Sequence, residues 1–244
     1  EGLTKRFGAD LMYENVDIEI SQGQKIAIIA KNGAGKTTLI RLICGLQEPT
    51  EGSFTLYGVK SDDSGIVEVR QRMGAVVEAP AIYLDMTAEE NLKQQYRVLG
   101  LPSFDSIPEL LKLVGLEDTG KKRAKRFSLG MKQRLGIAIA LAGDPDFLVL
   151  DEPTNGLDIK AVMWLEDFLS DYFGTVLVVS HDRHFLNDVC TNIVDIDYNG
   201  IKMYVGNYEF WYESSQLVQR LIKQQNKRAE EKIRELESFI ARFA

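Results

Sequence analysis

The chain has 244 residues, 45% hydrophobic and 27% charged, an ordinary soluble globular composition with room for one large domain or a domain with an appendage. The formal net charge of −7 argues against bulk electrostatic capture by nucleic acid, leaving only local basic patches for such contacts. No apolar run approaches the roughly 18 residues that span a bilayer, and no signal peptide opens the sequence, so a membrane role requires a partner subunit.

Phe7 precedes Gly8 near the start. Val16, Ile18 and Ile20 alternate with acidic residues and predict a half-exposed strand. Ser21-Gln22-Gly23-Gln24 turns the chain into the apolar run Ile26-Ala27-Ile28-Ile29, a buried strand. The stretch Ala30-Lys31-Asn32-Gly33-Ala34-Gly35-Lys36-Thr37 comes next, and Thr38 to Cys44 has helical spacing up to Gly45. Strand, small-residue loop and helix in that order make a phosphate cradle, the P-loop. Loop N–H groups converge on an anion, and the helix N-terminus adds partial positive charge. In such a loop Lys36 reaches the β- and γ-phosphates and the Thr37 hydroxyl ligates Mg²⁺. The pattern wants Gly first; the Cβ of Ala30 fits only where φ stays negative, and otherwise weakens binding. With a phosphate loop downstream, two roles are open to Phe7: a platform under an adenine ring, or a core aromatic beside a turn.

Ser53 to Tyr57 reads as a strand ended by Gly58, residues 60–72 as charged and irregular, and Met73 to Val77 as another strand before Glu78-Ala79-Pro80. Thr87-Ala88-Glu89-Glu90 and Ser106-Ile107-Pro108-Glu109 both have capping-box spacing, so the segment from about 80 to 142 is expected to be mostly helical, inserted between core strands. Lys121 to Arg126 holds five basic residues in six. It reads as a solvated helix end or loop, or more sharply as a contact for RNA or an acidic partner.

Phe127-Ser128-Leu129-Gly130-Met131-Lys132-Gln133-Arg134 leads into an apolar helix over Leu135 to Leu141, closed by Gly143-Asp144-Pro145. Phe147-Leu148-Val149-Leu150 then places a strand in the sheet centre, with Asp151 and Glu152 where it emerges. Paired acids there need a chemical purpose, because uncompensated buried charge is costly. Asp151 fits a carboxylate facing Mg²⁺, and Glu152 fits the base that orients or deprotonates an attacking water. A helix follows Asp158, and Val176 to Val179 is one more buried strand with Ser180-His181-Asp182 at its exit. That position makes His181 a γ-phosphate sensor, whereas His184 reads as structural. Cys44 and Cys190 lie in apolar contexts without metal-like spacing, as core residues of a reduced, cytoplasmic protein do. Asn192 to Tyr204 predicts a hairpin turning at Asn199-Gly200. From about Leu217 the chain reads as helix, with Ile233, Leu236, Ile240 and Phe243 at coiled-coil spacing. Its polar stretch fits either a solvated C-terminal helix or a linker to a further part.

Taken together these motifs resemble the ATP-binding-cassette (ABC) ATPase family over residues 1 to about 210. The resemblance implies an A-loop aromatic at Phe7 and a Walker A loop at 30–37, with Asn32, Gly33, Ala34, Gly35, Lys36, Thr37 and Thr38 on the nucleotide. It implies a signature at Ser128-Leu129-Gly130-Met131-Lys132, Walker B at 147–151 followed by Glu152, a D-loop at Asn155-Gly156-Leu157-Asp158 and the switch His181. It implies ATP and Mg²⁺ as ligands, and head-to-tail pairing in which Ser128 and Gly130 serve a nucleotide held mainly by a second cassette. Glu78 stands where such proteins usually carry the Q-loop glutamine, and SLGMK replaces the commoner SGGQ.

The implied fold is an α/β P-loop NTPase: a mixed sheet flanked by helices, an inserted helical subdomain at about 78–142 within a domain over 1–210, and a charged, linker-like helix over 211–244. Two subfamilies are visible. FGADLMYENVDIEISQGQKIAII, WLEDFLSDYFGTVLVVSHDRHFLNDV and YVGNYEFWYESS resemble ABC-F proteins, tandem cassettes acting on ribosomes. VVEAPAIYLDMTAEENL and FSLGMKQRLGIAIAL resemble ATPase subunits of bacitracin- and lantibiotic-type exporters. The first reading is therefore the first cassette of a ribosome-associated ATPase with RNA contacts and a covalent second half. The alternative is an exporter subunit that pairs with its own kind and docks a membrane permease, peripheral to the inner face of the membrane. Glu1 in place of Met is expected to mark a trimmed boundary.

Overall fold

The continuous apolar runs become the centre of the sheet. The computed structural model describes residues 2–7, 10–16, 18–31, 33–197 and 200–241; the side chains of residues 7, 10, 13, 15, 235, 236 and 239–241 are outside the description. In chain order, β1 (Leu3–Phe7) and β2 (Asp10–Val16) form an antiparallel ribbon. Then come β3 (Lys25–Ala30), α1 (Lys36–Ile43), the small hairpin β4 (Thr55–Leu56) and β5 (Val59–Lys60), α2 (Ile66–Arg70) and β6 (Met73–Val76). The inserted helices are α3 (Ala88–Val98), α4 (Ile107–Leu113) and α5 (Leu129–Leu141). The core resumes with β7 (Phe147–Asp151), α6 (Ile159–Asp171), β8 (Thr175–Val179) and α7 (Arg183–Val189). It ends with β9 (Asn192–Asp197), β10 (Gly200–Val205) and α8 (Tyr208–Ala241).

The main sheet has the order β10-β9-β3-β8-β7-β6. Strands β9, β3, β8, β7 and β6 run parallel and β10 closes the edge antiparallel to β9. Parallel strands covered on both faces need unbroken apolar runs, and every residue of β7 and β8 is buried. One face packs Ile26 and Ile28 against Leu39, Ile40 and Leu42 of α1. On the other, Leu148, Leu150, Val176 and Val178 meet Ile137 of α5, Leu165 and Leu169 of α6 and Phe185 of α7. Leu92, Ile107, Leu116, Phe127 and Leu135 form a separate core for the inserted helices. The mixed sheet, flanking helices and helical insertion agree with the α/β expectation.

Several local readings need correction. Ile18 and Ile20 pack on the core but belong to no strand, because the β1–β2 ladder runs out at Leu3↔Val16. The strand expected over Ser53–Tyr57 shrinks to Thr55–Leu56, since Tyr57 adopts φ 51 and begins the turn. Residues 60–72 are not wholly irregular: α2 forms around the buried Ile66. The capping box exists at Thr87, whose hydroxyl accepts from the Glu90 N–H at 3.2 Å while the Glu90 carboxylate accepts from the Thr87 N–H at 2.8 Å. It is absent at Ser106, where the hydroxyl lies 2.9 Å from the Tyr96 hydroxyl instead. Within the basic run, Lys125 ion-pairs with Asp85 at 2.7 Å. Helix α8 begins at Tyr208 and continues for 34 residues. The side chains of Leu236 and Ile240, and all of Phe243, lie outside the described residues, as does Asn199 of the expected hairpin turn. Both described cysteines are free; burial pushes the Cys44 thiol up to about 11 and the Cys190 thiol up to about 12, which leaves them protonated.

Candidate functional site

The parallel strands all deliver their C-terminal ends to one side of the sheet, where open α/β folds place ligands. A cavity of about 420 Å³ lies there, lined among others by Lys36, Thr37, Glu78, Asp151, Glu152 and His181. Its floor is the turn from β3 into α1. Gly35 holds φ 98 immediately before the helix, a conformation that L side chains rarely adopt. No side chain caps this terminus, so the first-turn N–H groups of α1 remain for a ligand. Lys36 Nζ folds back to donate to the Ala30 carbonyl at 3.1 Å. Ala30 itself ends β3 paired with Ile196. It is not among the described non-glycine residues with positive φ, so its Cβ does not strain the loop.

Strand β7 contributes the acids. Asp151 is buried; its carboxylate takes the Thr37 hydroxyl at 3.5 Å and the backbone N–H of Glu78. Burial raises its pKa, and these hydrogen bonds only partly oppose the rise. Glu152 sits in a left-handed kink, φ 50, anchored by its own N–H to the Val179 carbonyl at 2.8 Å. That kink aims its carboxylate at the exit of β8. There the His181 backbone N–H donates to it at 3.2 Å and the imidazole Nε2 stands 3.3 Å away. Burial again raises the Glu152 pKa, with His181 pulling the other way. The His181 ring is 69% exposed against 19% for Glu152, so the ring can move while the carboxylate is held.

Gly33, Thr38 and Glu78 also line the cavity. Phe7's side chain and Asn32 lie outside the described residues. Ser128, Gly130 and Asp158 are not part of the cavity lining. Ser128 caps α5 through Met131 N–H at 3.2 Å, and Asp158 caps α6 through Ala161 N–H at 2.9 Å. Gly130 packs so tightly on the next segment that a Cβ there would stand 2.6 Å from the Gly156 carbonyl oxygen. In turn a Cβ on Gly156, which holds φ 73, would meet Leu129 at 2.5 Å. The bulky Leu129 and the bare Gly156 are thus matched. His184 gives its backbone N–H to the Asp182 cap of α7 and is not part of the cavity lining. Lys31 of the phosphate loop and Asn155 of the expected D-loop line the cavity too, whereas sequence reasoning missed Met12 and Val179 in the lining, and Gln133, whose amide donates to the Glu152 carbonyl at 3.5 Å. Gln133 left one signal, a polar residue next to the apolar run of α5, and it is indeed buried.

Thr37, Asp151, Glu78 and Glu152 supply hard oxygen donors suited to a cation such as Mg²⁺. Among the described residues no group of three or more His, Cys, Asp or Glu could cage a metal ion. Thr37 and Asp151, 3.5 Å apart, are the pair that could hold such an ion.

Comparison with known proteins gives a consistent answer. The pattern of the ABC transporter family matches residues 13–155, and a second ABC transporter pattern matches residues 194–244. The chain is 44% identical over 190 residues to the bacitracin transport ATP-binding protein BcrA of Bacillus licheniformis, a match covering 77% of this chain and 61% of BcrA. It is 38% identical to the uncharacterized ABC transporter ATP-binding protein YkpA of Bacillus subtilis (strain 168), covering 98% of this chain and 49% of YkpA. The chain thus spans about half to three fifths of the length of these relatives. Among solved structures, a dimeric post-hydrolysis ATP-binding cassette bound to ADP and Pi superposes with a TM-score of 0.74 at 25% identity, covering 84% of this chain and 97% of that one. The chain belongs to the ABC transporter family, as an ATP-binding, ABC-type ATPase domain.

Proposed function

We propose that this chain is the ATP-hydrolysing subunit of an exporter of peptide antibiotics. The observation that carries its chemistry is the convergence of Lys36, Thr37, Asp151, Glu152 and His181 on one cavity. The 44% identity to a bacitracin transport ATP-binding protein favours the exporter over the ribosome-associated cassette, the first expectation from the two ends of the sequence. Association with a ribosome finds no support in these relatives.

In this reading the N–H groups of 33–37 and the Lys36 ammonium hold the β- and γ-phosphates. Thr37 and Asp151 hold Mg²⁺, which when bound neutralises phosphate charge. Glu152, fixed by its kink and by His181, orients the attacking water and accepts its proton. His181 reports the γ-phosphate through the contact it makes with Glu152. Ser128 and Gly130, absent from this chain's own cavity lining, face the nucleotide of a second cassette in a head-to-tail pair. No described helix is long and apolar enough to cross a membrane. An exporter role therefore places this chain against a permease subunit, at the inner face of the membrane. Residues 1–210 are then the cassette, with 78–142 as its helical subdomain, and 211–244 its appended, linker-like segment.

A second reading has one observation in its favour. The match to YkpA runs through the tail and covers 98% of this chain but only half of that relative, as one cassette of a longer two-cassette chain does. Solution mass of the Glu152→Gln chain with and without Mg-ATP separates the two. An ATP-dependent homodimer supports the exporter subunit; a monomer that binds ATP supports the half-protein; failure to bind ATP overturns the nucleotide site itself.

A further inference from the structure

Just beyond β6, Glu78 brings a third carboxylate to the cavity already lined by Asp151 and Glu152. Glu78 takes the left-handed conformation, φ 59, at the rim of the cavity. Its backbone N–H is committed to Asp151. Its side chain reaches across to α1 and ion-pairs with Arg41 through Arg41 Nη2 and Glu78 Oε1. Arg41 does not line the cavity, whereas Glu78, Asp151 and Glu152 all do, together with the cations Lys31 and Lys36. A neutral amide at position 78 would hydrogen-bond there without adding charge. A carboxylate instead adds a third negative group to a cavity read as the site of a polyphosphate, and like charges within one cavity repel even at the higher effective dielectric near a surface.

We propose that Arg41 is a positioning residue for the nucleotide: its guanidinium holds and neutralises Glu78, so that the cavity accepts a polyphosphate despite the extra carboxylate. This rests on the reading of the cavity as the nucleotide site. The local structure favours the pairing, because Arg41 lies in the last turn of α1, where the helix dipole suits a cation. The left-handed backbone at residue 78 holds the loop between two anchors, Asp151 on one side and Arg41 on the other. The pair is partly exposed, with side chains 36% and 55% accessible, so solvent screening limits its effect to a modest factor.

The test is an equilibrium titration of the full chain with a fluorescent ATP analogue and Mg²⁺, repeated with the ADP analogue, for the native protein, Arg41→Ala, Glu78→Gln and the double variant. Arg41→Ala is expected to weaken ATP binding about two- to fivefold, and ADP binding less, because repulsion grows with ligand charge. Glu78→Gln is expected to tighten binding, and the double variant to match Glu78→Gln within about twofold. An equal loss from Arg41→Ala in both backgrounds, or no loss in the native background, overturns the proposal. Arg41→Gln repeats the cycle should the alanine variant melt early. A Lys36→Ala control keeps the two readings apart. If it binds ATP normally, the nucleotide site falls; if it loses binding while positions 41 and 78 act independently, only the role of Arg41 falls.

Discussion

At the N-terminal ends of the parallel strands, Asp146 sits between the Tyr57 hydroxyl and the Arg72 guanidinium, both of which hydrogen-bond to it. Arg72 also stacks 4.0 Å above the Tyr57 ring, and the buried Lys25 donates to the backbone carbonyls of Tyr172 and Gly174. At the C-terminal ends, five residues along the same strand β7, Asp151 and Glu152 have weaker company. Burial pushes all three carboxyls upward. At Asp146 the hydrogen bonds from Tyr57 and Arg72 outweigh burial and the pKa falls below the ordinary value, whereas at Asp151 and Glu152 burial prevails and the pKa rises. One end of the sheet settles its charges internally. The other holds Asp151 and Glu152 in a raised-pKa state and bends the backbone at Glu152 and at the neighbouring Glu78, the pattern of a functional site rather than a structural one.

This division of labour can be broken. The largest effect is expected from Glu152→Gln at the C-terminal end: ATP turnover should fall by about 10²–10⁴-fold with ATP binding retained, measured as phosphate release beside a nucleotide titration. Normal turnover would remove Glu152 from the base role. Lys36→Ala should weaken ATP binding by at least about tenfold, since a charge-assisted contact is lost; unchanged affinity would sink the phosphate cradle. At the N-terminal end the readout should switch from binding to stability. Lys25→Met leaves two carbonyls without their donor and should destabilise the fold by about 1–3 kcal/mol in denaturant melts, leaving ATP affinity intact. A large affinity change would show that the two ends are not independent. Tyr57→Phe removes one hydrogen bond from Asp146 and should cost about 1 kcal/mol.

The smallest effect concerns pH, and its sign differs between the ends. The lowered pKa of Asp146 contributes stability that is present above its unfolded value and lost as pH falls through the folded one. The raised pKa of Glu152 contributes stability that is present below its unfolded value and lost as pH rises through the folded one. Asp146→Asn should therefore flatten the acid-side decline of the melting curve, and Glu152→Gln should steepen it. The acid limb of turnover should also lie above the ordinary glutamate value of 4.5, because Glu152 must be ionised to act as base.

Much of this was legible in the sequence because the signals are local. The phosphate loop is contiguous, and the apolar runs of β3, β7 and β8 announce strands buried on both faces. The Thr87 capping box, likewise, needs only four neighbouring residues. Readings failed where a distant partner decided. Ser106 has the spacing of a cap, but Tyr96 takes its hydroxyl. Ile18 and Ile20 alternate like a strand, but the described β1–β2 ladder ends at Leu3↔Val16.

The order of residues by itself determined which elements form, where the phosphate loop lies and which acids follow β7, since turn chemistry, apolar periodicity and motif spacing act over a few residues. Only the tertiary structure decided that His181 meets Glu152, that Gly156 must stay bare beneath Leu129, and that Arg41 answers the charge of Glu78. Each of these depends on two segments distant along the chain being brought to one edge of the sheet by the parallel strand order, and no local pattern encodes a distance between them.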